Sequence, residues 1–108
     1  MGARGLVVSR VGVDSLGDEL VEFLDSQGLD SDFVQRDAEQ ATSTVSITTT
    51  ADGQPDYTIH EPVAWDFLEW TGPLAGLFSG VAAVCFGTIA QRRPTSRATI
   101  NACLDAMP

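Results

Sequence analysis

The dipeptide Asp52-Gly53 stands between two runs of alternating side chains, and no other stretch narrows the fold as much. Asp-Gly favours the positive φ values of a tight hairpin turn, whose twist matches that of paired strands. Before it, Val45 and Ile47 alternate with Thr44, Ser46 and Thr48; after it, Tyr57 and Ile59 alternate with Asp56, Thr58 and His60. A period of two gives each strand one apolar and one polar face. Pro55 opens the return strand, where a missing N–H costs least. The expectation is an antiparallel hairpin that packs Val45, Ile47, Tyr57 and Ile59 and turns hydroxyls, a carboxylate and an imidazole outward. Such an insert is either surface decoration or a flap over a binding site. The stretch from Thr44 to Trp70 also holds the single Tyr, the single His and both Trp residues.

The flanking sequence is of a different kind. Leu6–Val11 is a short apolar, β-branched run, as in a strand buried on both faces. Asp14 or Ser15 can cap a following helix, in which Leu16, Leu20, Phe23 and Leu24 recur at helical spacing and Gly28 marks the end. Phe33–Arg36 reads as a second strand. Strand, helix, strand predicts an α/β architecture with a right-handed crossover. After Pro62, residues 64–70 read as a helical turn or two and 73–78 as a short helix with Pro at its first position. Val81–Phe86 is expected to be an interior strand. Gly87–Arg93 forms the loop off its carboxyl end, and Pro94 opens a last helix with Ile100, Cys103 and Leu104 on one face.

Composition removes several functions. With 15 acidic and 6 basic residues the 108-residue chain carries a net charge of −9, so it lacks the basic face that nucleic acids and anionic membranes require. No segment has the length and apolarity to span a bilayer. The start has neither the apolar run nor the cleavage site of a signal peptide, and Leu6 stands where N-myristoylation needs Ser or Thr. A cytoplasmic location is expected. Cys85 and Cys103 have no metal-ligand spacing and are read as buried thiols of a reducing compartment, with a disulfide as the alternative.

Four segments carry a resemblance. Gly12, Asp14 and Gly17 in VSRVGVDSLGDEL, then LDSDFVQRD, then TSTVSITTTADGQPDYTI, then VAAVCFGTIAQR followed by SRATI, stand in order along the chain. They resemble the early region, the strand before the lid, the lid hairpin, and the strand and loop after the lid in PfkB (ribokinase-like) carbohydrate kinases, fructokinase-like members in particular. The resemblance implies a partial ribokinase-like α/β fold: parallel βαβ elements over 1–36, an inserted β-hairpin lid over 37–61, and the remaining helices and strand over 62–108. It implies transfer of the γ-phosphoryl of ATP to a sugar hydroxyl, with ATP and Mg2+ as cofactors and a sugar as substrate of the complete kinase. The family's GAGD-type motif, which carries the catalytic aspartate and the anion-binding helix N-terminus, is absent from this sequence, as is its GGxxxN sugar motif. The chain is therefore expected to be an inactive interior slice, with no catalytic residue, no metal ligand and no cofactor of its own. It is also expected to leave sheet edges unpaired. The alternative is a stand-alone, non-catalytic binding module that associates through its exposed hairpin, as a homodimer formed by the lid.

The resemblance gives some residues a substrate-facing role beside a plainer one. His60 is a lid contact to the sugar or a polar-face hairpin residue. Trp65 stacks on a sugar's C–H surface or packs. Asp66 accepts from sugar hydroxyls or is solvated. Gly87 and Thr88 lie where the family lets substrate approach the backbone. Gln91 exchanges hydrogen bonds with hydroxyls. Arg92 and Arg93 meet a phosphate or are plain surface, and Asp14 is a helix cap with no catalytic role.

Overall fold

The computed structural model describes residues 5–108; the Met1-Gly2 start lies outside the described residues. The chain is a mixed α/β structure that begins as a βαβ unit. Strand β1 (Ser9–Gly12), helix α1 (Ser15–Ser26) and strand β2 (Val34–Asp37) follow one another. β1 and β2 pair in parallel, from Ser9 opposite Val34 to Gly12 opposite Asp37. A single Leu6–Asp30 bridge continues the pairing backwards. Both strands thus sit further along the chain than Leu6–Val11 and Phe33–Arg36. The intervening turn, in which the Asp32 amide donates to the Asp30 carboxylate, delays β2. Asp14 caps α1 by accepting from the Gly17 amide, and Gly28, at φ 75°, ends the run in the left-handed region. Leu24 is buried, but Leu16, Leu20 and Phe23 of the predicted apolar stripe stay exposed.

The hairpin forms, with Val45, Ile47, Tyr57 and Ile59 on one face as expected. β3 (Val45–Thr49) and β4 (Pro55–Ile59) are antiparallel, with Val45 opposite Ile59 and Ile47 opposite Tyr57. Gly53, at φ 81°, provides the turn that non-glycine residues resist. Its apolar face does not pack, contrary to expectation. All ten strand residues are exposed, and Ile47 and Tyr57 keep 63% and 62% of their surface. A two-stranded ribbon buries a face only against another layer, and none of the described elements supplies one.

The chain leaves the hairpin through a cis Glu61–Pro62 peptide into a 3-10 turn, Ala64–Phe67. Helix α2 (Gly72–Phe78) is capped by the Thr71 hydroxyl, which accepts from the Leu74 amide. Helix α3 (Pro94–Asp105) begins with proline, whose fixed φ suits the first turn. α2 and α3 meet in the core, where Leu74, Phe78 and Cys103 are buried against Val8, Phe33, Val84 and Met107. Two buried hydroxyls fasten α3 to the 3-10 turn. Ser96 donates to the Trp65 carbonyl and accepts from the Leu68 amide, and Thr99 donates to the Leu68 carbonyl.

Val81–Phe86 is not a strand. Its composition suits one, but a strand exists only through a neighbour, and no hydrogen-bonding neighbour lies beside it among the described residues. The same absence leaves Cys85 exposed, against the expected burial, while Cys103 is buried as expected; both thiols are free. Burial pushes the Cys103 thiol above its ordinary value, which keeps it protonated and inert. No helix among the described residues is long and apolar enough to cross a membrane.

Candidate functional site

The hairpin joins the body at two stems, and each is held by one carboxylate. At the first stem the carboxylate is Asp14. It accepts from the Gly17 amide at 2.8 Å, from the Thr42 amide at 3.0 Å and from the Thr42 hydroxyl at 2.6 Å. The Thr42 oxygen in turn accepts from the Gly12 amide at 2.9 Å. Three donors on one carboxylate favour its charged form, and they hold Asp14 below its ordinary value, the Thr42 hydroxyl most of all. This geometry explains the Gly-x-Asp-x-x-Gly spacing. A Cβ on Gly12 would come within 2.8 Å of the Gln40 carbonyl, and one on Gly17 would overlap the Gly12 carbonyl. Both glycines are therefore fixed by close backbone approach between the end of β1, the start of α1 and the first stem.

At the second stem the carboxylate is Asp66, which is fully buried. Its oxygens accept from Arg92 Nε at 2.7 Å and Nη2 at 2.8 Å, and one also accepts from the Val63 amide at 2.9 Å. Burial alone would raise the Asp66 carboxyl, but the Arg92 fork and the Val63 amide outweigh it and hold the group below its ordinary value. Arg92 also donates to the His60 carbonyl at 2.9 Å, pairs with Glu61 at 3.3 Å and lies 4.3 Å from the centre of the Trp65 ring.

At the carboxyl ends of the two parallel strands, Asp37 accepts from Arg10 at 2.9 Å and from the amides of Glu39 and Gln40. Burial works against the Asp37 charge, but these donors prevail and its carboxyl also stays low. Gln35 exchanges two hydrogen bonds with the Glu69 backbone and so continues the strand pattern by means of a side chain.

The expected site residues divide between these features. Trp65 and Gly87 line one open, apolar cavity of about 290 Å³ with Phe86, Ile89 and Ala90. Gln91 reaches back to the Gly87 carbonyl at 3.4 Å, and Thr88 is exposed beside it. His60 stands apart at the end of the hairpin, its Nε2 at 2.6 Å from the Ser46 hydroxyl on the polar face. Asp66 is not solvated; its partners are all protein groups. Trp70 is 42% exposed. Arg92, the residue that ties these segments together, was read as surface or a phosphate contact. The clue was scarcity: in a chain with 6 basic and 15 acidic residues a cation has many carboxylates to meet.

Among the described residues Arg93 and Arg97 have no carboxylate partner, while the other arginines, Arg10, Arg36 and Arg92, do. No three potential metal ligands converge among the described residues.

Known structures share this fold. An uncharacterised sugar kinase from Pyrococcus horikoshii has 23% identity and a TM-score of 0.79, the match covering 96% of this chain and 34% of that one. The fructokinase of Halothermothrix orenii has 20% identity and a TM-score of 0.81 over 97% and 36%. The fructokinase of Vibrio cholerae O395 has 24% identity and a TM-score of 0.74 over 95% and 35%. At these identities the likeness establishes the fold, part of the ribokinase-like kinase fold, and the chain spans about a third of the length of these structures. No curated protein matches the sequence. The model of the pfkB family carbohydrate kinases matches residues 1–90, most of the sequence from its first residue to the loop beyond Gly87, and the chain belongs to that family.

Proposed function

We propose that this chain forms the lid and one wall of the sugar site of a fructokinase-like kinase, whose reaction moves the γ-phosphoryl of ATP to a sugar hydroxyl. One observation carries the reading: Trp65 and Gly87 line a single cavity, and Arg92 joins Trp65 to the end of a hairpin with a polar face. A sugar has apolar C–H faces and a hydroxyl rim, and it suits an aromatic wall beside exposed backbone. In this reading Trp65 stacks on the sugar, the Gly87–Thr88 backbone and Gln91 meet hydroxyls, and His60 on the hairpin closes over it. Asp66 acts from behind, through Arg92. The GAGD-type aspartate and its anion-binding helix are absent from the sequence, so these residues bind sugar without phosphorylating it. The Pyrococcus horikoshii sugar kinase has also been solved in complex with ATP; by analogy ATP, with Mg2+, is the phosphoryl source of the complete enzyme. A protein that draws on ATP for sugar metabolism is placed in the cytoplasm.

The test is a titration of the chain with D-fructose, followed by tryptophan fluorescence. A saturable change in emission is expected, lost in Trp65→Phe and weakened in His60→Ala, with no sugar phosphate formed when ATP and Mg2+ are added. A response that is linear in sugar, or identical in Trp65→Phe, overturns the reading.

The exposed apolar side of the hairpin favours a second reading, a non-catalytic module that pairs with another copy of itself. Val45, Ile47, Tyr57 and Ile59 form a continuous apolar face with nothing on it. Analytical ultracentrifugation is expected to show a reversible dimer that Ile47→Lys converts to monomer. A monomer at all concentrations removes this reading.

A further inference from the structure

The hairpin has no surface that fixes its direction, since every residue of both strands is exposed. Its angle to the body is therefore set where its stems enter. The first stem is bound through backbone as well as side chain: Thr42 to Asp14 and Gly12, and the Ala41 carbonyl accepting from the Ala64 amide at 2.8 Å. The second stem, His60 and Glu61, is different. Within the hairpin it is held by the bond from the His60 amide to the Thr44 carbonyl and by the contact of His60 Nε2 with the Ser46 hydroxyl; its bonds to the body run to one side chain, Arg92. Arg92 is in turn immobilised by the buried Asp66 and by the Trp65 ring. A planar guanidinium suits this task, because its fixed fork of donors holds a carboxylate with two of them and still reaches the His60 carbonyl.

We propose that Arg92, seated on Asp66, is the latch that sets the angle of the β3–β4 hairpin: a positioning residue for the lid and not a substrate ligand. The inference rests on the reading of the hairpin as a lid. If the latch holds, loss of the pair releases the second stem while the first stem stays tied, and the hairpin swings about Ala41–Thr42. The β3–β4 pairing stays intact, because its backbone bonds do not involve Arg92.

The test places spin labels on the hairpin turn and on α3, at Ala51→Cys and Ala98→Cys in a Cys85→Ser background. Both sites are exposed, and the buried Cys103 stays unlabelled. Pulsed dipolar spectroscopy of this protein is expected to give one narrow distance distribution. Arg92→Gln is expected to broaden it to about twice the width, with a cooperative thermal transition retained. The double variant Asp66→Asn/Arg92→Gln leaves no buried charge unpaired, so it tests the same release should the single variant unfold, and it is expected to broaden equally. An unchanged width in the double variant overturns the proposal. So does global unfolding of both variants, since a pair that the core cannot lose is not a hinge. The experiment contains no sugar, so its outcome is separate from that of the fructose titration. A hairpin that swings without a fructose response keeps the latch and removes the sugar site.

Discussion

Asp66→Ala is expected to destabilise the protein by about 3 kcal/mol, the lower part of the range for breaking a buried ion pair. The lower part applies because the Arg92 side chain keeps 18% of its surface and recovers some hydration, whereas Asp66 keeps none. The substitution removes both acceptors of the Arg92 fork and leaves the Val63 amide without a partner. For a small domain with about 5–15 kcal/mol in total, this is a large share. Urea denaturation followed by circular dichroism measures it, as a lower midpoint at an unchanged slope. Asp66→Asn is expected to cost less, since its amide oxygen still accepts from the Val63 amide. The effect also depends on pH. The folded-state carboxyl of Asp66 lies below its ordinary 3.8. Its contribution is therefore complete above that value and is lost as pH falls through the lower, folded one. The difference between wild type and Asp66→Ala should narrow over that acid window. A constant difference down to pH 2 would show that the pair contributes nothing through its charge.

Leu74→Ala is expected to cost about 2–5 kcal/mol, the range for a fully buried leucine that leaves a cavity. Leu74 keeps 1% of its surface and sits with Phe78 and Cys103 where α2 meets α3. The loss should be read beside Ile47→Ala. Both residues are large aliphatics, and the strand alternation expects Ile47 to pack as Leu74 does. Ile47 is 63% exposed, and its replacement is expected to change stability by no more than about 0.5 kcal/mol. Thermal denaturation of the two variants separates them. Comparable losses would mean that the hairpin's apolar face is covered in solution, a result that would favour self-association through it.

The elements themselves were largely legible. The Asp52-Gly53 turn, the alternation around it, the Asp14 cap, Pro73 and Pro94 in the first turns of their helices, and Gly28 all act within a few residues. Each shaped its own segment, although the hairpin loop is longer than Asp52-Gly53 alone: only Gly53 has a positive φ, and the Thr50 amide donates to the Gln54 carbonyl. Val81–Phe86 failed for a physical reason. Its apolar, β-branched composition describes compatibility with a strand, but a strand needs a hydrogen-bonding neighbour, and composition does not supply one. The site was legible only in outline. Trp65 and Gly87 were named from a resemblance and lie on one cavity. The connection of Trp65 to His60 and Asp66 through Arg92 was not foreseen, because arginine beside arginine ahead of a helix has no local signature of pairing.

The Thr44–Trp70 stretch shows where the division falls. Its sequence alone determined a two-faced antiparallel hairpin with a glycine in its turn, because strand alternation and the φ preference of glycine are properties of neighbouring residues. Tertiary structure alone decided that the apolar face stays open, and that Asp66 leaves the solvent to seat an arginine 26 positions away. Burial and ion pairing depend on which distant surfaces meet, and that is fixed by the packing of α3 against the 3-10 turn, not by the residues on either side of Asp66.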